Sequence, residues 1–180
     1  GTLTDSTGPA LYLGLGTAEN DTLDASGSLN KAALYGFGGS DILTGSAQAD
    51  IINGGADADT IAGGAGADTL VGGAGDDTYV YTSLLDGAEG ETIKEVADGG
   101  TDTLQVAGQA FFLGIGGTPQ APEITWQMSP SDFDEIEVIE FVGDGSAVFT
   151  GAQLTGDEMT LKGDADAQLL GVIATVNGTT

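Results

Sequence analysis

The chain has 180 residues, with 28 acidic side chains against 3 basic ones, no histidine and no cysteine. A formal net charge of -25 opposes compaction unless something positive binds. The missing residues exclude disulfides, thiolate nucleophiles, the usual zinc sites and the Ser-His-Asp or Cys-His catalytic arrangements, and nucleic acid is excluded as a partner because the Lys and Arg that neutralise phosphates are absent.

Hydrophobic residues make up 40% of the chain, so it is not a disordered acidic tail. No stretch approaches the roughly 20 apolar residues of a transmembrane segment, and the start shows no basic region followed by an apolar one. The chain opens on Gly1 rather than Met and reads as a fragment.

In chain order, residues 1–35 read as N-terminal strands with degenerate repeat turns. GTAENDTLD (16–24) carries Gly first, Asp21 sixth and Leu23 eighth, while GSLNKAALY (27–35) fits the strand part with Ala32 where an acid belongs and Lys31 beside it. From 36 to 81 the pattern is regular. Aspartate falls at Asp41, Asp50, Asp59, Asp68 and Asp77, and the units read GFGGSDILT, GSAQADIIN, GGADADTIA, GGAGADTLV and GGAGDDTYV. Each opens on glycine and carries a large apolar residue eighth: Leu43, Ile52, Ile61, Leu70 and Tyr79.

A nine-residue period is neither helical nor a simple alternation, so each unit is a turn plus a short strand. Glycine suits the turn through positive φ or through close backbone approach. One unit cannot bury its single apolar side chain, but stacked units can, which is the logic of a solenoid. Low-complexity linkers have no reason to keep an apolar residue at a fixed place.

These units resemble the GGxGxDxUx calcium-binding repeats of the RTX (repeats-in-toxin) family, kept in full at 63–71 and 72–80. The resemblance implies an all-β, right-handed parallel β-roll in which two nonapeptides make one coil. Asp41, Asp59 and Asp77 then line one edge, and Asp50 and Asp68 line the other. It further implies three Ca²⁺ sites, each with carboxylates from two turns plus backbone carbonyls. The first joins Asp41 and Asp59 with carbonyls near Phe37, Gly39, Gly54 and Ala56. Asp50 and Asp68 make the second, with Ser46, Gln48, Gly63 and Ala65. Asp59 and Asp77 make the third, with Gly55, Asp57, Gly72 and Ala74. Asp21 with Asp41 is a further candidate pair. An all-oxygen shell suits Ca²⁺ better than Mg²⁺, which dehydrates reluctantly. The side chains of Asp57 and Asp76 lie off the sixth position and read as solvated.

Residues 82–180 read as an irregular β extension and C-terminal cap. TYVY, ETIKEV and TDTLQV continue the coil with longer turns; Asp86 is in phase but lacks a glycine turn, and Asp98 and Asp102 flank Gly99-Gly100 in an exposed polar turn or a further ion site. Beyond Phe111 lies a Pro- and Gly-punctuated insertion holding Trp126, the sole tryptophan. Short β runs follow, as irregular coils or as a small β-sandwich capping the roll. Leu169 to Val176 reads as a buried final strand or an edge offered to another subunit. Asp132, Asp134, Glu135, Glu137 and Glu140 read as a solvated face rather than a glycosidase pair.

The sequence therefore points to a non-enzymatic, Ca²⁺-binding structural or adhesive module that folds on metal. Through the resemblance it belongs to a secreted bacterial surface protein (S-layer, adhesin or extracellular filament) exported by type I secretion. The alternative is a non-catalytic C-terminal module of a type I secreted protease, lipase or epimerase. Expected partners are calcium ions, further copies of the chain or cell-surface components. Ice binding would need ranked Thr and Asn, whereas positions four and five read GS, QA, DA, GA and GD.

Overall fold

The acid-Thr-apolar phrase that closes most units is β-prone and leaves room for only a few extended residues before the next glycine. In the computed structural model, which describes residues 2–3, 11–82, 91–95, 99–107, 111–112, 136, 138–142, 147–150, 160–163 and 171–173, these phrases are strands of two parallel sheets. One sheet runs β1 (Thr2–Leu3), β2 (Leu11–Leu15), β4 (Ala32–Tyr35), β6 (Ile51–Ala56), β8 (Thr69–Ala74), β10 (Thr92–Lys94). The other runs β3 (Thr22–Asp24), β5 (Ile42–Thr44), β7 (Thr60–Ala62), β9 (Thr78–Tyr81), β11 (Thr103–Ala107), β13 (Val138–Val142), β15 (Thr160–Gly163). Consecutive strands from β2 to β11 alternate between the sheets, and each pairs in parallel with the strand one coil away. Among the described residues only β1 pairs antiparallel, with β2. The fold is an all-β parallel solenoid, and no helix occurs among the described residues.

Register shows how sequence spacing becomes coil geometry. Through the nonapeptides, stacked positions are eighteen residues apart, as in Asp41 with Asp59 and Asp50 with Asp68. Upstream the step is twenty, Asp21 with Asp41, and downstream it is twenty-five, Asp77 with Asp102. The irregular steps lengthen turns without disturbing strand alignment. Ala33 pairs with Ile51, so Ala32 does occupy the place of an aspartate.

The eighth residues form two inward columns. Leu43, Ile61, Tyr79, Leu104 and Ile139 are successive register partners in one sheet; Leu34, Ile52, Leu70 and Ile93 are partners in the other. All are buried. At the top of the second column Gly14 faces Leu34, whose Cδ2 would lie 2.7 Å from any Cβ added there. Each buried Leu or Ile contributes roughly 1.5–3 kcal/mol.

Beyond Ala107 the chain keeps its parallel habit. β13 and β15 extend the second sheet, while β12 (Phe111–Phe112), β14 (Ala147–Thr150) and β16 (Gly171–Ile173) form a separate parallel sheet. The described strands of this half all pair in parallel. β16 falls within the run proposed as a final strand. Asp86, Asp98, Trp126, Asp132, Asp134, Glu135 and Glu137 lie outside the described residues.

Candidate metal centre

Two edges of the solenoid carry its turns. One edge holds the turns between β2 and β3, β4 and β5, β6 and β7, β8 and β9, and β10 and β11; their acids are Asp21, Asp41, Asp59, Asp77 and Asp102. Turns of the other edge supply Asp50, Asp68 and Glu91.

Along the first edge the aspartates form a hydrogen-bonded ladder. Asp21 N–H donates to Asp41 Oδ1 at 2.7 Å, Asp41 N–H to Asp59 Oδ1 at 2.8 Å, Asp59 N–H to Asp77 Oδ1 at 2.8 Å and Asp77 N–H to Asp102 Oδ1 at 2.9 Å. The carbonyls of Asp21, Asp41, Asp59 and Asp77 also each accept the N–H of the residue after the next aspartate, for instance Thr60 N–H to Asp41 O at 2.8 Å. On the second edge Ala32 N–H donates to Asp50 Oδ1 at 2.6 Å and Asp50 N–H to Asp68 Oδ1 at 2.7 Å.

This ladder uses one oxygen of each carboxylate. The Oδ2 atoms of Asp41, Asp59 and Asp77 are buried and accept no hydrogen bond. Leaving a buried carboxylate oxygen unpartnered is costly, and three stacked on one edge call for a positive partner. Successive coils of a parallel sheet lie about 4.8 Å apart, and like charges at that spacing repel by roughly 3 kcal/mol at an effective dielectric of about 20. That rivals the burial of one core side chain per strand, so core packing alone does not outweigh it. Burial first, then neighbouring carboxylates, push Asp59 up to about 6 and Asp77 up to about 7, against the hydrogen bonds from Asp41 and Asp59 that favour their charged forms.

The opening glycines exist for these oxygens. Gly36, Gly45, Gly54, Gly63 and Gly72 all keep φ outside the left-handed region, yet a Cβ would stand 2.1 Å from Asp41 Oδ2 at Gly36, 2.2 Å from Asp59 Oδ2 at Gly54 and 2.3 Å from Asp77 Oδ2 at Gly72. Close approach is therefore what requires glycine here. Positive φ belongs to positions two and four: Gly55, Gly64 and Gly73, and Gly39, Gly66 and Gly75. Phe37 (φ 77) and Asp57 (φ 70) take such places without being glycine.

The structure gathers many of the expected ligand positions. Around Gly36 converge Asp41 Oδ2 and the Gly54 carbonyl; around Gly45 converge the Gly63 carbonyl and Asp50 Oδ2. The Phe37 carbonyl faces Gly55 and accepts Ala56 N–H at 3.1 Å; the Ser46 carbonyl faces Gly64, the Gln48 carbonyl faces Gly66, and the Gly55 and Asp57 carbonyls face Gly73 and Gly75. Gly72 and Ala74 lie in β8, and Ala65 lies in the turn before it. Asp57 and Asp76 are exposed, and their side chains accept Gly39 N–H and Thr101 N–H from adjacent turns.

Asp50 and Asp21 differ from the rest. Where position two is Ser46, its N–H donates to Asp50 Oδ2 and its hydroxyl to Oδ1; where it is Thr17, N–H and hydroxyl both donate to Asp21 Oδ2, at 2.6 and 2.8 Å. A hydroxyl residue at position two thus satisfies its own carboxylate.

Two acids escaped notice in the sequence. Glu91 precedes Thr92, which pairs with Thr69, so it stands one coil beyond Asp68; it is buried and accepts the Tyr81 hydroxyl at 3.1 Å. Glu95 follows Lys94, the partner of Val71, and so stands one coil beyond Gly72. The signal for Glu91 was present: Glu-Thr-Ile at 91–93 and Asp-Thr-Leu at 102–104 repeat the acid-Thr-apolar phrase of Asp59-Thr-Ile and Asp68-Thr-Leu.

A parallel solenoid with stacked, cation-demanding carboxylates along its edges defines a class of metal-binding repeat protein. Residues 35–70 and 53–81 match the RTX calcium-binding nonapeptide repeat, in four copies. Residues 35–81 thus carry calcium-binding nonapeptide repeats of the RTX type, and these imply a Ca²⁺-binding module. No curated protein and no solved structure matches the chain. The donors fit the ion, since buried carboxylates and carbonyls offer the oxygen-only shell Ca²⁺ takes.

Proposed function

We propose that this chain is an extracellular structural or adhesive module that folds on Ca²⁺, serving a secreted bacterial surface protein in a non-catalytic role. The observation that carries it is the stack of Asp41, Asp59 and Asp77, each with a buried Oδ2 lacking any partner beside an opening glycine. Asp41 with Asp59, and Asp59 with Asp77, hold ions between coils with help from the carbonyls of Phe37, Gly39, Gly54, Gly55, Ala56, Asp57, Gly72 and Ala74. Asp50 with Asp68 forms the corresponding site on the other edge, with Ser46, Gln48, Gly63 and Ala65.

The physical logic is linkage. Without metal the carboxylates repel across each coil, and a glycine-rich backbone has much entropy to lose on ordering. A bound cation reverses the sign of the interaction, and its binding free energy becomes folding free energy. Extracellular modules bind Ca²⁺ with Kd of about 10⁻⁴ to 10⁻³ M, so the chain stays loose in a calcium-poor cytosol and orders outside.

Circular dichroism during a calcium titration of the purified chain tests this reading. The β signal and melting temperature should rise with Ca²⁺ and collapse on EDTA. Identical spectra and melting in EDTA and in millimolar Ca²⁺ would overturn coupled folding.

A further inference from the structure

Where the regular nonapeptides end, the next coil brings a third acid to the edge. Asp77, Glu95 and Asp102 each place a carboxylate oxygen within 4.8 Å of the others. Asp102 belongs to the ladder, accepting Asp77 N–H at 2.9 Å. Glu95 does not: register sets it one coil beyond Gly72, at the place every preceding nonapeptide gives to glycine. Its side chain extends over the bare Cα of Gly72. Oε1 lies 2.3 Å from the position of a Cβ there, the same distance as Asp77 Oδ2. Both oxygens therefore point into one cradle that only glycine leaves open.

Two observations separate this cluster from a chance gathering of acids. Asp77 is 1% exposed, and its Oδ2 is buried with no hydrogen-bond partner although it faces the cradle. Glu95 is also positioned from two sides, accepting the Tyr79 hydroxyl at Oε1 and Gly73 N–H at Oε2 at 3.2 Å. Tyr79 belongs to the core column and is fully buried, so its ring fixes where the hydroxyl meets Glu95. The site is thus tied to the core on one side and to the carboxylate ladder on the other. Three acids at this separation need a cation to offset their repulsion.

We propose that Asp77, Glu95 and Asp102 form a further divalent-cation site, selective for Ca²⁺, that joins the last nonapeptide to the coil beyond it. Its donors are carboxylate oxygens from three points of the chain, a flexible all-oxygen set that suits Ca²⁺ over Mg²⁺. Tyr79 acts as a positioning residue, holding Glu95 over Gly72. The site shares Asp77 with the nonapeptide stack, but Glu95 and Asp102 belong to it alone, so it can be lost while the site of Asp41 with Asp59 is kept.

The test counts ions on the whole chain by equilibrium dialysis with Ca²⁺, and uses Tb³⁺ as a luminescent substitute excited through tyrosine. Glu95→Gln keeps an acceptor for the Tyr79 hydroxyl and should bind one Ca²⁺ fewer than wild type, or bind that ion at least tenfold more weakly. Asp102→Asn, which keeps an acceptor for Asp77 N–H, should do the same. Asp41→Asn should lose a different ion and leave Tb³⁺ emission through Tyr79 intact, whereas Tyr79→Phe and Glu95→Gln should both reduce it. Should Glu95→Gln and Asp102→Asn fail to fold, the wild-type chain decides alone: tyrosine-sensitised Tb³⁺ emission that Ca²⁺ displaces supports the site, and none overturns it. A wild-type ion count and affinity in Glu95→Gln also overturns it. Loss of all Ca²⁺ binding in wild type would instead be the failure of the nonapeptide reading.

Discussion

The backbone N–H of Asp59 donates to Oδ1 of Asp77 at 2.8 Å, eighteen residues further along the chain. A side chain here takes the part of a ladder carbonyl, and Asp59 in turn accepts Asp41 N–H at 2.8 Å. Each carboxylate therefore has two separable duties. Oδ1 closes the backbone ladder, and Oδ2 faces the edge.

Substitution at Asp59 should separate those duties. Asp59→Asn retains an acceptor for Asp41 N–H and loses only the charge, while Asp59→Ala also leaves that buried N–H unsatisfied. In saturating Ca²⁺, Asp59→Ala should be less stable than Asp59→Asn by about 1–3 kcal/mol. Both should lose more Ca²⁺ affinity than the matching substitutions of Asp50 or Asp68, because Asp59 serves the ions on either side of it. Asp76→Ala, at an exposed position, should change affinity little. Isothermal calorimetry and thermal melts check this; equal affinity losses in Asp59→Ala and Asp76→Ala would show the register of ligands to be wrong.

Metal-free chain should respond to pH in the sense opposite to ordinary acid denaturation. Burial raises Asp59 to about 6 and Asp77 to about 7 from 3.8, so the folded state holds protons that the unfolded chain releases. Their contribution to stability is fully present below about pH 4 and is lost as pH rises through about 6 to 7. In EDTA, β signal should therefore grow on acidification from about pH 8 to about pH 5. Millimolar Ca²⁺ should displace those protons and hold the signal at neutral pH. A metal-free chain that is more ordered at pH 8 than at pH 5 would contradict the buried-carboxylate account.

How legible this was in the sequence depended on spacing. From 36 to 81 the step between stacked turns is constant, and together with the two nonapeptides per coil that the RTX resemblance implies, it puts Asp41, Asp59 and Asp77 on one edge and Asp50 and Asp68 on the other. Beyond Tyr81 the step changes, to the twenty-five residues between Asp77 and Asp102. Period counting loses its phase there, although strand register continues, and Glu91 and Glu95 passed unnoticed. The unit also hides a distinction within its glycines. A one-letter G does not say whether the residue answers to φ, as Gly55 does, or to a neighbouring oxygen, as Gly54 does. Likewise, Ser46 and Thr17 look like ordinary departures from glycine until their hydroxyls are seen to bond Asp50 and Asp21.

Core columns should be far more sensitive than the outer faces of the same strands. Ile61 is fully buried between Leu43 and Tyr79, whereas Ile42, in the neighbouring strand, is half-exposed. Ile61→Ala should cost about 2–5 kcal/mol in Ca²⁺-loaded protein. Ile42→Ala should stay within about 0.5 kcal/mol. Denaturant unfolding at fixed Ca²⁺ measures both, and comparable losses would mean that the eighth residue is not the inward one.

Glycine substitution should report directly on the space the carboxylates occupy. Gly54 has ordinary φ, so Gly54→Ala carries no backbone strain of its own, yet the new methyl would stand 2.2 Å from Asp59 Oδ2 and 2.8 Å from its Cγ. Asp59 cannot swing aside freely, because Oδ1 is held by Asp41 N–H. The clash must therefore displace the oxygen that faces the cation, and Ca²⁺ affinity should fall along with a stability loss of about 1–3 kcal/mol. At Gly27 a Cβ would meet nothing within 4 Å. Gly27→Ala should leave affinity unchanged and stabilise by about 0.4–1 kcal/mol through the unfolded chain. Calcium titrations of the two variants separate the explanations: if Gly54→Ala binds Ca²⁺ as wild type does, close approach of Asp59 is not what keeps glycine at the head of the repeat.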